Sequence, residues 1–219
     1  MATREVLADL ARSYRSKSGT VVTIESVGGV EAARRIRAGE AFDIAVLADE
    51  ALVSLESEGR VVAGTRAGMA ASGVAVAVRA GAPLPDIRTG DAVRKAVLEA
   101  SSIGCSTGPS GVQLGRLFER WGIAEAISSR IVQAPPGVAV ATLVASGQVE
   151  IGFQQLSELV HMPGIEVVGA LPPEIQVTTI FSAGVCATSR HQEAARAWLS
   201  FIASPESGDA KRRHGMEPA

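Results

Sequence analysis

The chain has 219 residues, 47% of them hydrophobic but only 4% aromatic, and a formal net charge of −2. That length holds one large domain or two small ones with proper cores. The balanced charge gives no basic footprint for nucleic acid, and no apolar run approaches the roughly 20 residues that span a bilayer.

Residues 4–15 predict a helix, with Val6, Leu7, Leu10 and Tyr14 on one face and Arg4, Glu5, Asp9 and Arg12 outside. Thr20–Glu25 is β-branched and predicts a strand. Ser26–Val27–Gly28–Gly29 leads into a helix with Val30, Ala33 and Ile36 inward, closed by Gly39. Asp43–Leu47 is a nearly continuous apolar run, as expected of a parallel strand buried on both faces, and a helix follows through Leu52 and Leu55. Strands alternating with helices at this spacing predict a doubly wound parallel sheet.

Val74–Val78 is a strand ending at Arg79, after which Gly81–Pro85 punctuates the chain. A helix covers 90–99 with Val93, Val97 and Leu98 inward. Ser102–Cys105 is a short strand, and Ser106–Val112 hands it over to a helix carrying Val112, Leu114, Leu117, Phe118 and Trp121. Ser129–Gln133, Glu150–Phe153 and Ile165–Val168 are further strands. Pro135–Pro136–Gly137 starts a helix at Val138 that runs to Ser146, and Gln154–Val160 is a short helix. After Leu171–Pro172–Pro173, Gln176–Ala187 is a β-rich run, and helices close the chain at 190–203 and after Pro205.

The proline-marked stretches bracket a middle segment, which predicts an inserted lobe. Residues 1–79 and 175–219 form the first lobe and 80–174 the second, with hinge crossings near 79–83 and 171–176. This is the layout of a hinged two-lobe α/β binding protein, each lobe a mainly parallel sheet flanked by helices. Ligands in such folds sit at the strand C-termini, in the cleft between lobes.

The loop Ser106–Thr107–Gly108–Pro109–Ser110–Gly111 concentrates three hydroxyls and two glycines where a strand meets a helix. The first N–H groups of that helix lack intrahelical partners, and the helix dipole adds positive character, so the loop reads as an anion cradle. A simply capped helix is the plain alternative. Similar cradles stand at Ala2–Thr3, at Ser26–Gly29 (with Gly28 and Gly29) and at Pro136–Gly137, while Phe153–Gln154–Gln155 offers an aromatic face and two amides. Gly104–Cys105–Ser106–Thr107–Gly108 also fits the G-x-S-x-G nucleophile elbow. An elbow requires an acid and a histidine at later strand ends, and His161, His191 and His214 sit at helix edges or near the tail. The loop is not a P-loop, since no Gly-Lys-Ser/Thr follows. Cys105 and Cys186 read as buried thiols, no spacing suggests a metal site, and no cofactor is implied.

The segments "VLADLARSYRSKSGTVV", "AARRIRAGEAFDIAVLAD", "GVAVAVRAGAP", "GPSGVQLGRLFERWGI", "VASGQVEIGFQQLSEL" and "ARAWLSFIASPESGDAKRRHGMEPA" cover nearly the whole chain. In them the sequence resembles the periplasmic molybdate-binding proteins of ABC importers, the type II solute-binding fold. The resemblance implies a periplasmic or extracytoplasmic protein that binds a small anion, a molybdate-like oxyanion or a small polycarboxylate, and delivers it to an ABC permease. It places hydroxyl donors near Ala2–Thr3 and Ser26–Gly29, backbone donors at Ser110–Gly111 and Gly137, and the family's tyrosine at Phe153. Ala2 and Phe153 cannot donate as serine and tyrosine would, and Arg4 is a candidate partner for a carboxylate.

Some proteins resembling this family isomerise aconitate, so an isomerase of a small tricarboxylate stands as the alternative. Glu25, Asp49 and Glu158 are its candidate bases. In the family an apolar strand precedes the first helix and lies in the middle of the first lobe's sheet. The resemblance therefore implies an upstream segment carrying a signal peptide and that strand, with Met1 an internal methionine. Without that strand, sheet rearrangement or a strand from another subunit is expected to close the slot.

Overall fold

The computed structural model describes residues 2–135 and 137–219. The chain opens with α1 (Arg4–Ser18), α2 (Gly29–Arg37), β1 (Ile44–Ala48), α3 (Asp49–Ser57) and β2 (Ala67–Arg79). A middle stretch holds α4 (Gly90–Glu99), β3 (Ile103–Cys105), α5 (Pro109–Arg120), α6 (Ala124–Ile127), β4 (Ile131–Gln133), α7 (Val140–Ala145), β5 (Ile151–Gln155), α8 (Leu156–Leu159) and β6 (Ile165–Ala170). It closes with β7 (Thr178–Val185), α9 (Gln192–Ala203), α10 (Gly208–Arg213) and β8 (Glu217–Pro218). These elements divide into two compact units, Met1–Ser72 with Thr179–Ala219, and Gly73–Thr178. The changes of unit fall at Ser72/Gly73 and Thr178/Thr179, inside β2 and β7, whereas the proline-marked stretches had placed them near 79–83 and 171–176.

In the first unit β1 pairs antiparallel with β7, Val46 opposite Ala183, and the start of β2 pairs antiparallel with β8. The parallel partner expected for Asp43–Leu47 is thereby corrected. Its apolar run is buried on two faces, as expected, because Ala45 and Leu47 pack with Ala33, Ile36, Leu52 and Leu55 while Ile44 and Val46 pack under α1. The core under α1 gathers Val6, Leu7, Leu10, Met69, Ala183, Trp198 and Ile202. Tyr14 meets Trp198 edge-on with ring centroids 5.1 Å apart. Gly19, at φ 73°, ends α1 in the left-handed conformation and returns its N–H to the Arg15 carbonyl.

Two further expectations fail in this unit. Val30 is 83% exposed rather than inward, because α2 is only nine residues long and spends its apolar stripe on Ala33 and Ile36. Thr20–Glu25 belongs to no strand. A β-former becomes a strand only when another strand pairs with it, and none of the described residues does so here.

The second unit is a mixed sheet in the order β6–β2–β5–β3–β4. β3 runs parallel to both neighbours, and β2 runs antiparallel to β5 and β6. Val93, Val97, Ile103, Leu114, Leu117, Phe118, Ile151 and Phe153 form its main core, with Leu98 and Val112 left exposed. Thr89 caps α4 by accepting the Ala92 N–H at 3.1 Å. α7 lies directly on β3 and β5 because both strands present glycine to it. A Cβ on Gly104 would stand 2.8 Å from Val140, and one on Gly152 only 2.5 Å from Val144.

Candidate functional site

In the second unit the parallel ladder sets Cys105 opposite both Gln133 and Phe153. The loops after β4, β3 and β5 therefore leave one end of the sheet together, the place where open α/β sheets bind ligands. The central loop is Ser106–Gly108. The Ala134 N–H bonds to the Cys105 carbonyl at 2.9 Å and ties it to the β4 loop. Gly108 takes the cap position of α5 and Pro109 its first turn, where the missing N–H costs nothing. The Ser106 and Ser110 hydroxyls meet at 3.2 Å, and Ser110 is buried. No described residue accepts the N–H of Gly111. Thr107 is exposed on the outer side of the loop.

Gly111 is held against the strand end. A Cβ there would lie 1.8 Å from the Ser106 carbonyl oxygen, so glycine alone fits. The result is a start of a twelve-residue helix with open backbone donors and two neighbouring hydroxyls, suited to an anion without any cation in the loop. Ser110→Ala removes one hydroxyl from this cluster. It should weaken anion binding by about tenfold or less, the worth of a single hydrogen bond, with an unchanged melting temperature. Calorimetric titration of the variant measures this.

The other expected ligand groups of this unit are placed differently. Phe153 packs its ring in the core against Phe118, centroids 6.3 Å apart, so its face serves packing. Gln154 is buried, and its amide is a strut. Its Oε1 accepts the Ala141 N–H at 3.2 Å, while its Nε2 donates to Glu158 Oε2 at 2.7 Å. Gln155 is buried beside it at the end of β5. Gly137, at φ 83°, turns the exposed loop between β4 and α7. Pro136, paired with it in the expected cradle, lies outside the described residues.

In the first unit Thr3 is buried at the start of α1, and its carbonyl accepts the Leu7 N–H at 3.0 Å. Arg4 is solvated, its side chain 69% exposed and 3.7 Å from Glu5. Ser26 and Gly29 are exposed and Gly28 half-buried ahead of α2, where Gly28 takes the cap position.

The candidate bases separate by environment. Glu25 is ion-paired to Arg35 at 2.8 Å. Asp49 accepts from Ser182 Oγ at 2.5 Å and from Arg66 at 2.7 Å, and these contacts hold its carboxyl below the usual range. Burial pushes the Glu158 carboxyl up, against the opposing hydrogen bond from Gln154. In the sequence Gln154 reads as a ligand amide and Glu158 as a base, two roles not joined there, and their i, i+4 spacing is the signal that could have joined them.

Among the described residues the Ser106 hydroxyl bonds no histidine. Ser106 meets Ser110, whereas His191 and His214 belong to the first unit, where they face Asp43 and Asp9. Burial also pushes the Cys105 thiol up to about 12, which keeps it protonated and inert. No group of three or more His, Cys, Asp or Glu among the described residues is placed to hold a metal ion, and none of their helices is long and apolar enough to cross a membrane.

A profile of the bacterial extracellular solute-binding proteins matches residues 1–217. Aconitate isomerase of a Pseudomonas species is 35% identical over 220 residues, covering 97% of this chain and 83% of that protein. Among solved structures, the periplasmic molybdate-binding protein of Azotobacter vinelandii superposes with a TM-score of 0.82 at 19% identity, covering 98% of this chain and 95% of that one. Peb3 of Campylobacter jejuni gives 0.72 at 18% identity, covering 100% and 96%. The match spans nearly the whole sequence, and the chain belongs to the bacterial extracellular solute-binding protein family.

Proposed function

We propose that this chain is the extracytoplasmic solute-binding component of an ABC importer and that it captures a small anion of the polycarboxylate class. The observation that carries the reading is the start of α5, where the open Gly111 N–H and the Ser106 and Ser110 hydroxyls form a neutral, hydrogen-bonding anion cradle. Kinship with a protein named for aconitate favours a carboxylate over a metal oxyanion. Calorimetric titration with citrate, cis-aconitate, trans-aconitate, molybdate, tungstate and sulfate tests this. Heat with the carboxylates and none with the oxyanions supports it. Heat with molybdate alone moves the ligand to the oxyanion class, and no heat with any anion overturns the reading.

A second reading, isomerisation of a small tricarboxylate, is favoured by Glu158. A half-buried carboxyl with a raised pKa is suited to taking a proton from a methylene carbon. Shifting the double bond of aconitate needs one proton removed and one returned, with no change of oxidation state. Glu158 acts as base only when ionised, so turnover should rise with pH through its elevated pKa. Proton NMR of trans-aconitate incubated with the protein over hours follows the cis form directly. An unchanged spectrum rejects the enzyme and leaves the binding protein.

A further inference from the structure

The chain passes between its two units twice, at Ser72/Gly73 in β2 and at Thr178/Thr179 at the head of β7. Just inside the second unit one side chain joins the two passages. Gln176 Oε1 accepts the Val74 N–H at 2.9 Å and the Val177 N–H at 2.8 Å, while its Nε2 donates to the Leu171 carbonyl at 3.2 Å. The backbones meet at the same point. The Val74 N–H also reaches the Val177 carbonyl, and the Val74 carbonyl accepts the Leu171 N–H, both at 3.0 Å.

Gly73 makes room for this amide. A Cβ there would stand 3.0 Å from Cδ and Nε2 of Gln176 and 3.2 Å from its Oε1. Gly73 is not among the glycines of positive φ, so what glycine supplies here is space and not backbone freedom. The segment that carries Gln176 is fastened to the second unit by other means. Glu174 Oε1 accepts the Gly90 N–H at 2.8 Å, and Ile175 and Val177 pack on the core that holds Val74 and Leu171. The amide of Gln176 is therefore spare for anchoring, and what it adds is a tie between one passage and the other.

We propose that Gln176 is a hinge clasp, which binds the two passages into one ribbon at the edge of the second unit. Two compact bodies joined by a few strands move against each other by default. Two passages that bend separately leave the bodies free to twist and shear as well as to close. Tied side by side, they bend only together, about one axis lying beyond Val74 and Val177. The clasp thus limits the motion between the units to a single mode.

Pulsed electron paramagnetic resonance on the intact chain tests the proposal, with nitroxide labels carried by Val30→Cys on α2 and Leu98→Cys on α4. Both positions are exposed, one in each unit, and the native Cys105 and Cys186 are buried. The parent should give one narrow distribution of distances. Gln176→Ala should broaden it to about twice that width. In the same variant the Val74 and Val177 amide protons should exchange faster by about tenfold, the worth of one hydrogen bond. Gly73→Ala, which pushes the amide aside, should act in the same direction and keeps the test open if Gln176→Ala does not fold. In the Gln176→Ala background Gly73→Ala should add nothing, since no amide is left to displace. A distribution that stays at the parental width in the folded variants overturns the proposal. So does a Gly73→Ala effect that persists in full beside Gln176→Ala, because the two residues would then act separately. No ligand enters the measurement, so its outcome stands apart from that of the anion titrations.

Discussion

Replacing Gly111 by alanine is expected to abolish anion binding and to lower the melting temperature by about 10 °C, the equivalent of about 3 kcal/mol. The added Cβ would stand 1.8 Å from the Ser106 carbonyl oxygen and 2.8 Å from its carbon, less than any real contact allows. Relief requires either the loop or the helix to move. The loop is fixed by the Ala134 N–H on the Cys105 carbonyl, and the helix by Leu114, Leu117 and Phe118 in the core. Any movement that does occur separates Ser106 from Ser110 and disperses the donors. Gly115 of the same helix is the control, because a Cβ there meets nothing within 4 Å. Gly115→Ala should be neutral or slightly stabilising through helix propensity alone. Thermal unfolding and calorimetric titration of the pair decide the matter. Parental affinity and melting in Gly111→Ala would move the site away from the start of α5.

The legible parts of the molecule were those in which a local pattern and a tertiary need coincide. α1 and α5 were visible because their apolar faces repeat at helical spacing over several turns and end in a core. The Ser106–Gly111 loop was visible because hydroxyls and glycines cluster there for a local reason, the close passage of helix start and strand end. Thr20–Glu25 misled because β-branching reports what a residue can pack against, not whether a partner exists. Phe153 misled in another way. A residue at a strand's C-terminal end is placed near a site by topology, yet the side it faces follows the alternation of the strand, and that sends the ring to Phe118. Gln154, one residue on, belongs to the other face, where it meets Ala141 and Glu158. The change of unit inside β2 was invisible for a simpler reason: the strand is continuous across it, and Gly73 at the change stands inside the strand without a turn to mark a boundary.

Lys211→Met should stabilise the chain by about 1–3 kcal/mol at neutral pH, enough to raise the melting temperature by several degrees. Lys211 is only 1% exposed, and the two arginines that follow it have found carboxylates. Arg212 pairs with Asp209 at 3.0 Å and Arg213 with Asp9 at 3.0 Å, whereas the described residues give the Lys211 ammonium no ion pair. Desolvation therefore lowers its pKa from the ordinary 10.5. Between the lowered value and 10.5 the unfolded chain binds more protons than the fold, so stability rises as pH climbs through that window. Below it the full penalty of the buried charge remains. Methionine has similar length and no charge, so it keeps the packing and removes the penalty. The gain should be largest at pH 7 and shrink toward pH 11, and urea titrations of parent and variant at both values would show it. A variant less stable than the parent at neutral pH, or a gain that does not shrink, would mean that the Lys211 amine is stabilised within the fold and is not a burden on it.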